Sequence, residues 1–200
     1  MNIGIDIDDT ISNSFESVFA DSQKFDIEEL GNSGKVEQYG RIENHNYIET
    51  MYSHWTNQQI NLFWERYFIN MLTKATPKSY VPEIIKKLKE EGNKIIIITS
   101  RYEVVEGKKL VEEYTKEWLQ KNGIEYDTFV MNSQDKLLSA RENKVDLFID
   151  DSVAHCKRMQ EGGIKTFLYT TNMNQGLEIP ELERVYSWPQ IYYKYTMIGK

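Results

Sequence analysis

Four short apolar runs constrain the fold of this chain more than any other feature of the sequence. Each is five or six residues long and rich in β-branched side chains, and together they span residues 2–7, 94–99, 145–149 and 164–169. Nearly continuous apolar runs of this length are typical of strands that are buried on both faces of a parallel sheet. A weaker run at residues 128–131 predicts a fifth strand.

Helical patterns alternate with these runs, at residues 82–91, 106–121, 134–142 and 152–161. The first of them has Pro82 near its start and Gly92 just past its end, which is the usual asymmetry of helix termini. Alternating strands and helices predict an α/β fold, with a Rossmann-like, doubly wound parallel sheet and helices on both faces. A last short helix is predicted at residues 189–197.

The connection between the first two strands is far longer than one crossover helix requires. The helix at residues 82–91 serves as the crossover, so most of the preceding segment is an insertion, and its composition is helical and aromatic. We therefore predict two domains. An α/β core comprises residues 1–11 and 79–200, and a helical cap inserted after the first strand comprises residues 12–78.

Charge and cysteine content exclude several classes of function. The net charge is -7 and the sequence contains no block of five basic residues, which argues against binding to a nucleic acid polymer or a membrane surface. The single cysteine, Cys156, cannot form an internal disulfide, which fits a reducing compartment. No apolar run approaches the ~18 residues of a membrane-spanning helix, and residues 1–7 do not resemble a signal peptide. We expect a cytoplasmic monomer or homodimer.

Ionisable and hydroxylic residues follow the predicted strands at their carboxyl ends, where open α/β sheets bind their ligands. The weak fifth strand is followed by a lysine in the opening turn of the next helix. These residues are Asp6, Asp8, Thr10, Thr99, Ser100, Lys136, Asp150 and Asp151. Four carboxylates, several hydroxyls and one ammonium group are therefore expected at one edge of the sheet.

The carboxylates predict a metal site. Because side chains alternate along a strand, Asp6 and Asp8 are expected on the same side, where their mutual repulsion raises one pKa. The addition of Asp150 and Asp151 requires a cation, and hard oxygen ligands with room for water suit Mg²⁺.

A phosphoryl group would complete this arrangement. Thr99, Ser100 and Lys136 are suited to bind phosphate oxygens. A carboxylate at this place serves as a nucleophile in aspartyl-phosphate chemistry, so Asp6 is the predicted nucleophile. Asp8 is the predicted acid and then base, a double role that favours a pKa raised towards neutrality.

The order and spacing of these residues resemble the four motifs of the haloacid dehalogenase superfamily. The matching pieces are Asp6 to Thr10, then Thr99 with Ser100, then Lys136, and finally Asp150 with Asp151. The resemblance implies a phosphatase branch in which Asp6 is the nucleophile and Asp8 the acid and base. It also implies Mg²⁺ held by Asp6, the backbone carbonyl of Asp8, and one or both of Asp150 and Asp151. Thr10 has a role in organising the first-motif loop or in binding substrate.

The cap position and its aromatic residues are similar to those of the 5′(3′)-deoxyribonucleotidase group and its bacterial relatives. This resemblance implies a Mg²⁺-dependent phosphomonoesterase that acts on a small soluble phosphorylated metabolite. A (deoxy)nucleoside monophosphate is the leading candidate, because an aromatic cap can stack a base. A sugar phosphate or another metabolite phosphate is the alternative, and polar cap residues facing the cleft would favour it.

Three other interpretations stay open at the level of sequence. Arg101 either reaches the substrate phosphate or pairs with a cap carboxylate. Asp150 and Asp151 before Ser152 also match the N-terminal cap of a helix. A receiver-like signalling domain carries a similar set of residues, but its phosphoaccepting aspartate lies at a later strand end and it lacks a large insertion. Repeated turnover of p-nitrophenyl phosphate with Mg²⁺ would separate a phosphatase from such a domain.

Overall fold

The computed structural model describes residues 1–40, 47–102, 105–106 and 109–198. Six strands form one parallel sheet in the order β5-β2-β1-β6-β7-β8, and two short strands form a separate hairpin. The strands are β1 (Asn2–Ile5), β2 (Lys94–Ile98), β3 (Val105–Glu106), β4 (Lys109–Leu110), β5 (Thr128–Val130), β6 (Leu147–Asp150), β7 (Lys165–Tyr169) and β8 (Glu183–Val185). The predicted Rossmann-like parallel sheet is confirmed.

Helices connect the parallel strands and build the insertion. They are α1 (Ser14–Glu28), α2 (Tyr47–Met51), α3 (Asn57–Lys74), α4 (Val81–Glu90), α5 (Val111–Lys121), α6 (Lys136–Glu142), α7 (Val153–Glu161) and α8 (Trp188–Tyr195). Local signals explain several of their ends. Thr56 and Gln59 form a reciprocal capping box at the start of α3, and Gly92, with φ of 83°, follows α4. None of the helices in the described ranges is long and apolar enough to cross a membrane.

The sheet is buried on both faces, as its apolar runs predicted. On one face, Ile3 and Ile5 belong to a core that includes residues of α4, α5 and α8, whereas Ile96 and Ile98 pack on the other face with residues of α6 and α7. Strand β1 runs parallel to both β2 and β6. A Cβ atom at Gly4 would lie 2.7 Å from the ring of Phe148, so that ring packs over β1 only because residue 4 lacks a side chain.

Three local predictions differ from the structure. The helix predicted from residue 106 begins at Val111, because residues of β3 and β4 pair as an antiparallel hairpin first; residues 107–108 lie outside the described ranges. The Glu113 carboxylate accepts a hydrogen bond from the backbone N–H of Leu110 and so favours a helix start there (2.8 Å). Strand β8 was not predicted, and β1 ends at Ile5, which leaves Asp8 in a turn.

The insertion has its own aromatic core. Phe25, Trp55 and Phe63 lie at its centre, with ring centroids 5.1–5.7 Å apart. Two linkers join it to the sheet and lie side by side, since Ser12 and Pro77 form an antiparallel bridge. The backbone N–H of Lys78 donates to the carbonyl of Ile11 (2.9 Å). The division into core and cap at residues 12 and 78 stays a prediction, and it fits these paired linkers.

Candidate active site

Lys136 lies between two carboxylates at the carboxyl edge of the sheet. Its Nζ donates to Asp6 Oδ1 at 2.6 Å and to Asp150 Oδ2 at 2.8 Å, and all three side chains are buried. The topology brings them together because β1 and β6 are parallel neighbours, with Ile5 opposite Ile149. Lys136 is the first residue of α6. The sequence predicted this meeting of the first, third and fourth motifs.

A third carboxylate completes an acidic group. Oxygen atoms of Asp6, Asp150 and Asp151 all lie within 4.8 Å of one another. The backbone N–H of Asp151 donates to Thr10 Oγ1 at 3.0 Å, so Thr10 organises the loop that carries the acidic pair. Three convergent carboxylates are hard oxygen ligands of the kind that Mg²⁺ prefers, and the residues present therefore fit the cation that the sequence predicts.

The helix-cap interpretation of the acidic pair does not hold. Ser152 is the N-cap of α7, and its hydroxyl accepts the N–H of His155. Asp150 instead accepts the N–H of Ser152 at one oxygen (2.7 Å), and its other oxygen lies 3.2 Å from Nδ1 of His155. The carboxylate of Asp150 is thus oriented by Ser152 and His155, and Ser152, not the acidic pair, caps the helix.

Burial and repulsion shift the acidity of this group. Burial raises the pKa of Asp6 to about 6, with Asp150 and Asp8 adding to the rise and Lys136 opposing it. Burial, with the charges of Asp9 and Asp150, also raises the pKa of Asp151 well above its ordinary value. Burial acts on Asp150 in the same direction, but Lys136 and His155 outweigh it and lower its pKa. The site thus holds more negative charge than Lys136 alone offsets.

Asp8 pairs with a positively charged side chain other than Lys136. Arg101 donates from Nε to Asp8 Oδ2 at 2.8 Å and from Nη2 to Asp8 Oδ1 at 2.6 Å, in a bidentate ion pair. Its Nη1 donates to Thr115 of α5 at 3.0 Å. The Ser14 hydroxyl, in the first turn of α1, also donates to Asp8 Oδ1 (2.6 Å). Arg101 therefore pairs with a first-motif acid in this structure and not with the cap carboxylate that sequence offered as one alternative, and its contact with the substrate phosphate stays a prediction.

The pKa expected for Asp8 is wrong for this arrangement. Burial acts to raise the pKa of Asp8, but the charge and hydrogen bonds of Arg101, with the bond from Ser14, lower it below its ordinary value. Of Asp6 and Asp8, it is Asp6 whose pKa is raised. The sequence argument missed this because it weighed the repulsion between carboxylates and left open which partner Arg101 would take.

The two hydroxyls of the second motif lie at the same edge of the sheet. The Thr99 Oγ1 accepts the backbone N–H of Arg101 (3.2 Å), and the Ser100 hydroxyl donates to the carbonyl of Ser133 (3.1 Å). Thr99 directly follows β2, which is paired with β1. The strand-end argument therefore placed both residues correctly, and their role in binding phosphate stays a prediction.

Aromatic residues of the insertion lie near the acidic loop. The ring of Phe15 is 5.5 Å from that of Tyr39 and 6.0 Å from that of Tyr47, and Phe19 lies 4.7 Å from Tyr39. Burial raises the pKa of the Tyr47 phenol, and the charges of Asp9 and Asp8 add to the rise. We name Phe15, Phe19, Tyr39 and Tyr47 the aromatic wall; it is the part of the insertion next to the carboxylates.

Within the described ranges, sequence reasoning missed several residues whose side chains contact the site, among them Ser14, Thr115, His155 and Asn174. Asn174 donates from Nδ2 to the backbone carbonyl of Asp151 at 2.8 Å. It follows β7, so the strand-end rule that found the acidic residues extends to it. Ser14 and Thr115 carry no signal in the sequence, because their contacts depend on how α1 and α5 pack.

Comparison with known proteins agrees with the geometry. Residues 3–129 match the family described as haloacid dehalogenase-like hydrolase. A nucleotidase of Clostridium acetobutylicum is 26% identical over 136 residues, which cover 68% of this chain and 67% of that protein. A Bacillus cereus protein provisionally named a nucleotidase is 28% identical over 195 residues, 96% of each chain.

Solved structures share the fold at low sequence identity. A haloacid dehalogenase-like family hydrolase from Streptococcus pneumoniae superposes with a TM-score of 0.68 at 11% identity, covering 97% of both chains. A Haemophilus somnus protein described as a predicted phosphoglycolate phosphatase has a TM-score of 0.67 at 14% identity, covering 98% of this chain and 97% of that one. The shared architecture extends over nearly the whole length of each.

Proposed function

Because this chain belongs to the haloacid dehalogenase-like hydrolase family, we propose that it is a Mg²⁺-dependent phosphomonoesterase that forms an aspartyl-phosphate at Asp6. The observation that carries the proposal is the contact of Asp6 with Lys136, beside Asp150 and Asp151. A nucleophilic carboxylate, a buried ammonium group and a pair of acidic residues provide what phosphoryl transfer requires, which is positioning and charge compensation.

The cation would be held by the carboxylates of Asp6, Asp150 and Asp151 and by the backbone carbonyl of Asp8. When bound, Mg²⁺ supplies positive charge to offset the charge of the phosphoryl group. Lys136 contributes a second positive charge from the protein, and contacts with Asp6 and Asp150 keep it ionised by raising its pKa against the effect of burial. Thr99 and Ser100 would donate hydrogen bonds to the phosphate oxygens.

In the first chemical step, a carboxylate oxygen of Asp6 attacks phosphorus and an O–P bond forms. The P–O bond to the leaving alcohol breaks, and Asp8 donates a proton to the departing oxygen. Arg101 holds both oxygens of Asp8 in this structure and lowers its pKa, so the guanidinium must release Asp8, and Asp8 must take up a proton from solvent, before that donation. Movement of Arg101 towards the substrate phosphate would allow this and would give Arg101 the substrate-binding role predicted from sequence.

In the second step, a water molecule attacks the phosphorus of the aspartyl-phosphate. Asp8 accepts a proton from the water, the bond between Asp6 and phosphorus breaks, and inorganic phosphate is released. Asp8 is ionised after it has donated its proton in the first step, so it can accept this one.

The proposal predicts repeated hydrolysis of p-nitrophenyl phosphate that depends on Mg²⁺. Without a metal ion, the negative charge of Asp6, Asp150 and Asp151 exceeds the positive charge of Lys136. We therefore expect chelation by EDTA to lower the rate by at least about 10²-fold and excess Mg²⁺ to restore it. The measurement is release of p-nitrophenol, with Ca²⁺ added in parallel as a control for unspecific divalent effects. Full activity in EDTA would remove the metal from the mechanism, and one phosphorylation per chain without turnover would indicate a receiver-like domain.

For the substrate, we propose a (deoxy)nucleoside monophosphate. Two relatives carry nucleotidase in their names. The aromatic wall lies beside the acidic loop, where the base of a nucleotide can stack while its phosphate is at Asp6. A screen of nucleoside monophosphates, sugar phosphates and other small esters is the direct test. A clear preference for sugar phosphates would favour the alternative substrate class.

Tyr47→Ala tests the residue of the aromatic wall whose phenol is close enough to Asp8 and Asp9 for their charges to raise its pKa. We expect KM for a nucleoside monophosphate to rise about tenfold, because stacking on an aromatic ring contributes ~1–3 kcal/mol per base. KM for acetyl phosphate, which has no ring to stack, should change less than about twofold. Tyr193→Ala, at an exposed position of α8, is the matched control. Equal effects on both substrates would contradict a stacking role.

We also propose a reducing, cytoplasmic location. Cys156 is free and fully buried, and burial raises the pKa of its thiol well above the ordinary value. A buried, protonated thiol is unreactive. Whether the chain is a monomer or a homodimer stays a prediction.

A further inference from the structure

The side chain of Asn174 joins two neighbouring strand ends at the candidate metal site. Its Nδ2 donates to the backbone carbonyl of Asp151 at 2.8 Å and to that of Tyr169 at 2.7 Å. Its Oδ1 accepts from Arg184 Nη1 at 2.9 Å and from the backbone N–H of Thr171 at 3.3 Å. Asn174 is 3% exposed, so these bonds form away from competing water and use the hydrogen-bonding capacity of the amide.

Arg184 supports Asn174 from β8. Besides the bond to the side chain, its Nη2 donates to the backbone carbonyls of Asn174 at 3.0 Å and of Leu177 at 2.8 Å. Its Nη1 also reaches Thr170 Oγ1 at 3.3 Å. One planar guanidinium therefore fixes both the side chain and the backbone of Asn174, which a flexible lysine would do less well.

The backbone of Asp151 is consequently held at both of its polar groups. Thr10 accepts its N–H at 3.0 Å, and Asn174 donates to its carbonyl. Asp151 belongs to a group of three carboxylates whose oxygens lie within 4.8 Å of one another, and their mutual repulsion favours movement of the loop away from the other two when no cation is bound. The hydrogen bonds on either side of Asp151 oppose that movement.

We infer that Asn174, supported by Arg184, is a positioning residue that holds Asp151 ready to bind the divalent cation. The inference rests on the proposed function, because it concerns the same metal site. Asn174 donates only to backbone carbonyls and its amide has no role in the transfer of the phosphoryl group. Its contribution is to keep the metal-free loop close to its metal-bound conformation, so that less ordering is required when the cation binds.

The test is the affinity of the purified, metal-free protein for Mg²⁺, measured by calorimetry without substrate. We expect Asn174→Ala to raise the Kd for Mg²⁺ about tenfold or more, which is the usual effect of losing a residue that orients a metal ligand. Asn172→Ala is the matched control, because Asn172 lies in the same loop but donates to the hydroxyl of Tyr39. Its Kd should stay within about twofold of the wild-type value.

A second variant and a second readout separate positioning from general stability. Arg184→Lys keeps the charge on β8 but loses the planar fork, and we expect a smaller rise in Kd of about two- to fivefold. Because Mg²⁺ stabilises only the folded state, the increase in Tm on adding Mg²⁺ reports the metal site directly. That increase should shrink in Asn174→Ala even if its metal-free Tm is also lower.

The outcomes distinguish this inference from the proposed function. Wild-type protein that binds Mg²⁺ while Asn174→Ala binds it equally well would overturn the positioning role and leave the proposed function standing. Wild-type protein that binds no Mg²⁺ would overturn the metal-dependent function and this inference with it. An equal loss of affinity in Asn172→Ala would show that the loop as a whole, and not the bond to Asp151, sets the affinity.

Discussion

Asp6→Asn abolishes turnover while the protein stays folded: we expect kcat to fall by about 10⁴-fold or more, the scale of losing a catalytic nucleophile. Asparagine keeps the shape of the side chain and an oxygen that can accept the hydrogen bond from Lys136, which is 2.6 Å from Asp6 Oδ1. It cannot form the aspartyl-phosphate. Stability should change little, because the substitution also removes a buried carboxylate whose pKa is raised to about 6 by burial.

Two measurements check this prediction. Steady-state hydrolysis of p-nitrophenyl phosphate gives kcat, and acid quenching with a labelled phosphate ester detects the covalent intermediate, which should form on the wild-type chain only. Asp146→Asn is the matched control, since Asp146 accepts the backbone N–H of Asn2 at the opposite edge of the sheet. A kcat for Asp6→Asn within about tenfold of the wild-type value would exclude the covalent mechanism.

Lys136→Met should reduce both stability and activity. In the metal-free protein the ammonium group of Lys136 bonds two buried carboxylates, and the removal of one partner from a buried ion pair costs about 3–5 kcal/mol. We expect a fall of about 3 kcal/mol in the free energy of unfolding, near the lower limit, because the raised pKa of Asp6 lets it take up a proton. Because the proposed mechanism assigns Lys136 to offset the charge of the transferred phosphoryl group, its loss should lower kcat by about 10²–10³-fold.

Mg²⁺ offers a further check on Lys136→Met. Because a bound cation replaces part of the missing positive charge, Mg²⁺ should raise the Tm of the variant more than that of the wild type. Lys157→Met, which removes an exposed ion pair with Glu181, is the control and should cost less than about 1 kcal/mol. Unchanged unfolding of Lys136→Met in urea would show that the lysine does not compensate the carboxylates.

The alternation of apolar runs and helical patterns was sufficient to predict the sheet. Isoleucine-rich runs such as residues 94–98 are buried on both faces, and the polar residue after each run lies at the carboxyl edge because all the strands of the sheet are parallel. Strand β8 escaped prediction because only three of its residues pair, and only Val185 of these is fully buried. The hairpin before α5 escaped it because its pairing extends over two residues on each side.

Partners of charged side chains were harder to predict than positions along the strands. The position of Arg101 next to the second motif indicated a residue near the site, but the sequence left its partner open between phosphate and a cap carboxylate. In the structure it takes both oxygens of Asp8 and a hydroxyl of α5. The direction of the Asp8 pKa depends on that choice, because a bidentate arginine outweighs burial.

The sequence alone determined the parallel sheet, the long insertion after its first strand, and the gathering of Asp6, Lys136, Asp150 and Asp151 at one edge. These follow from periodicity and connection length, which are local properties of the chain. Only the tertiary structure decided which positively charged side chain pairs with which carboxylate. It also decided that Asn174 joins the ends of β6 and β7 next to the acidic pair. Such contacts depend on side-chain directions and on distances of a few ångströms between elements far apart in sequence, and no local pattern records them.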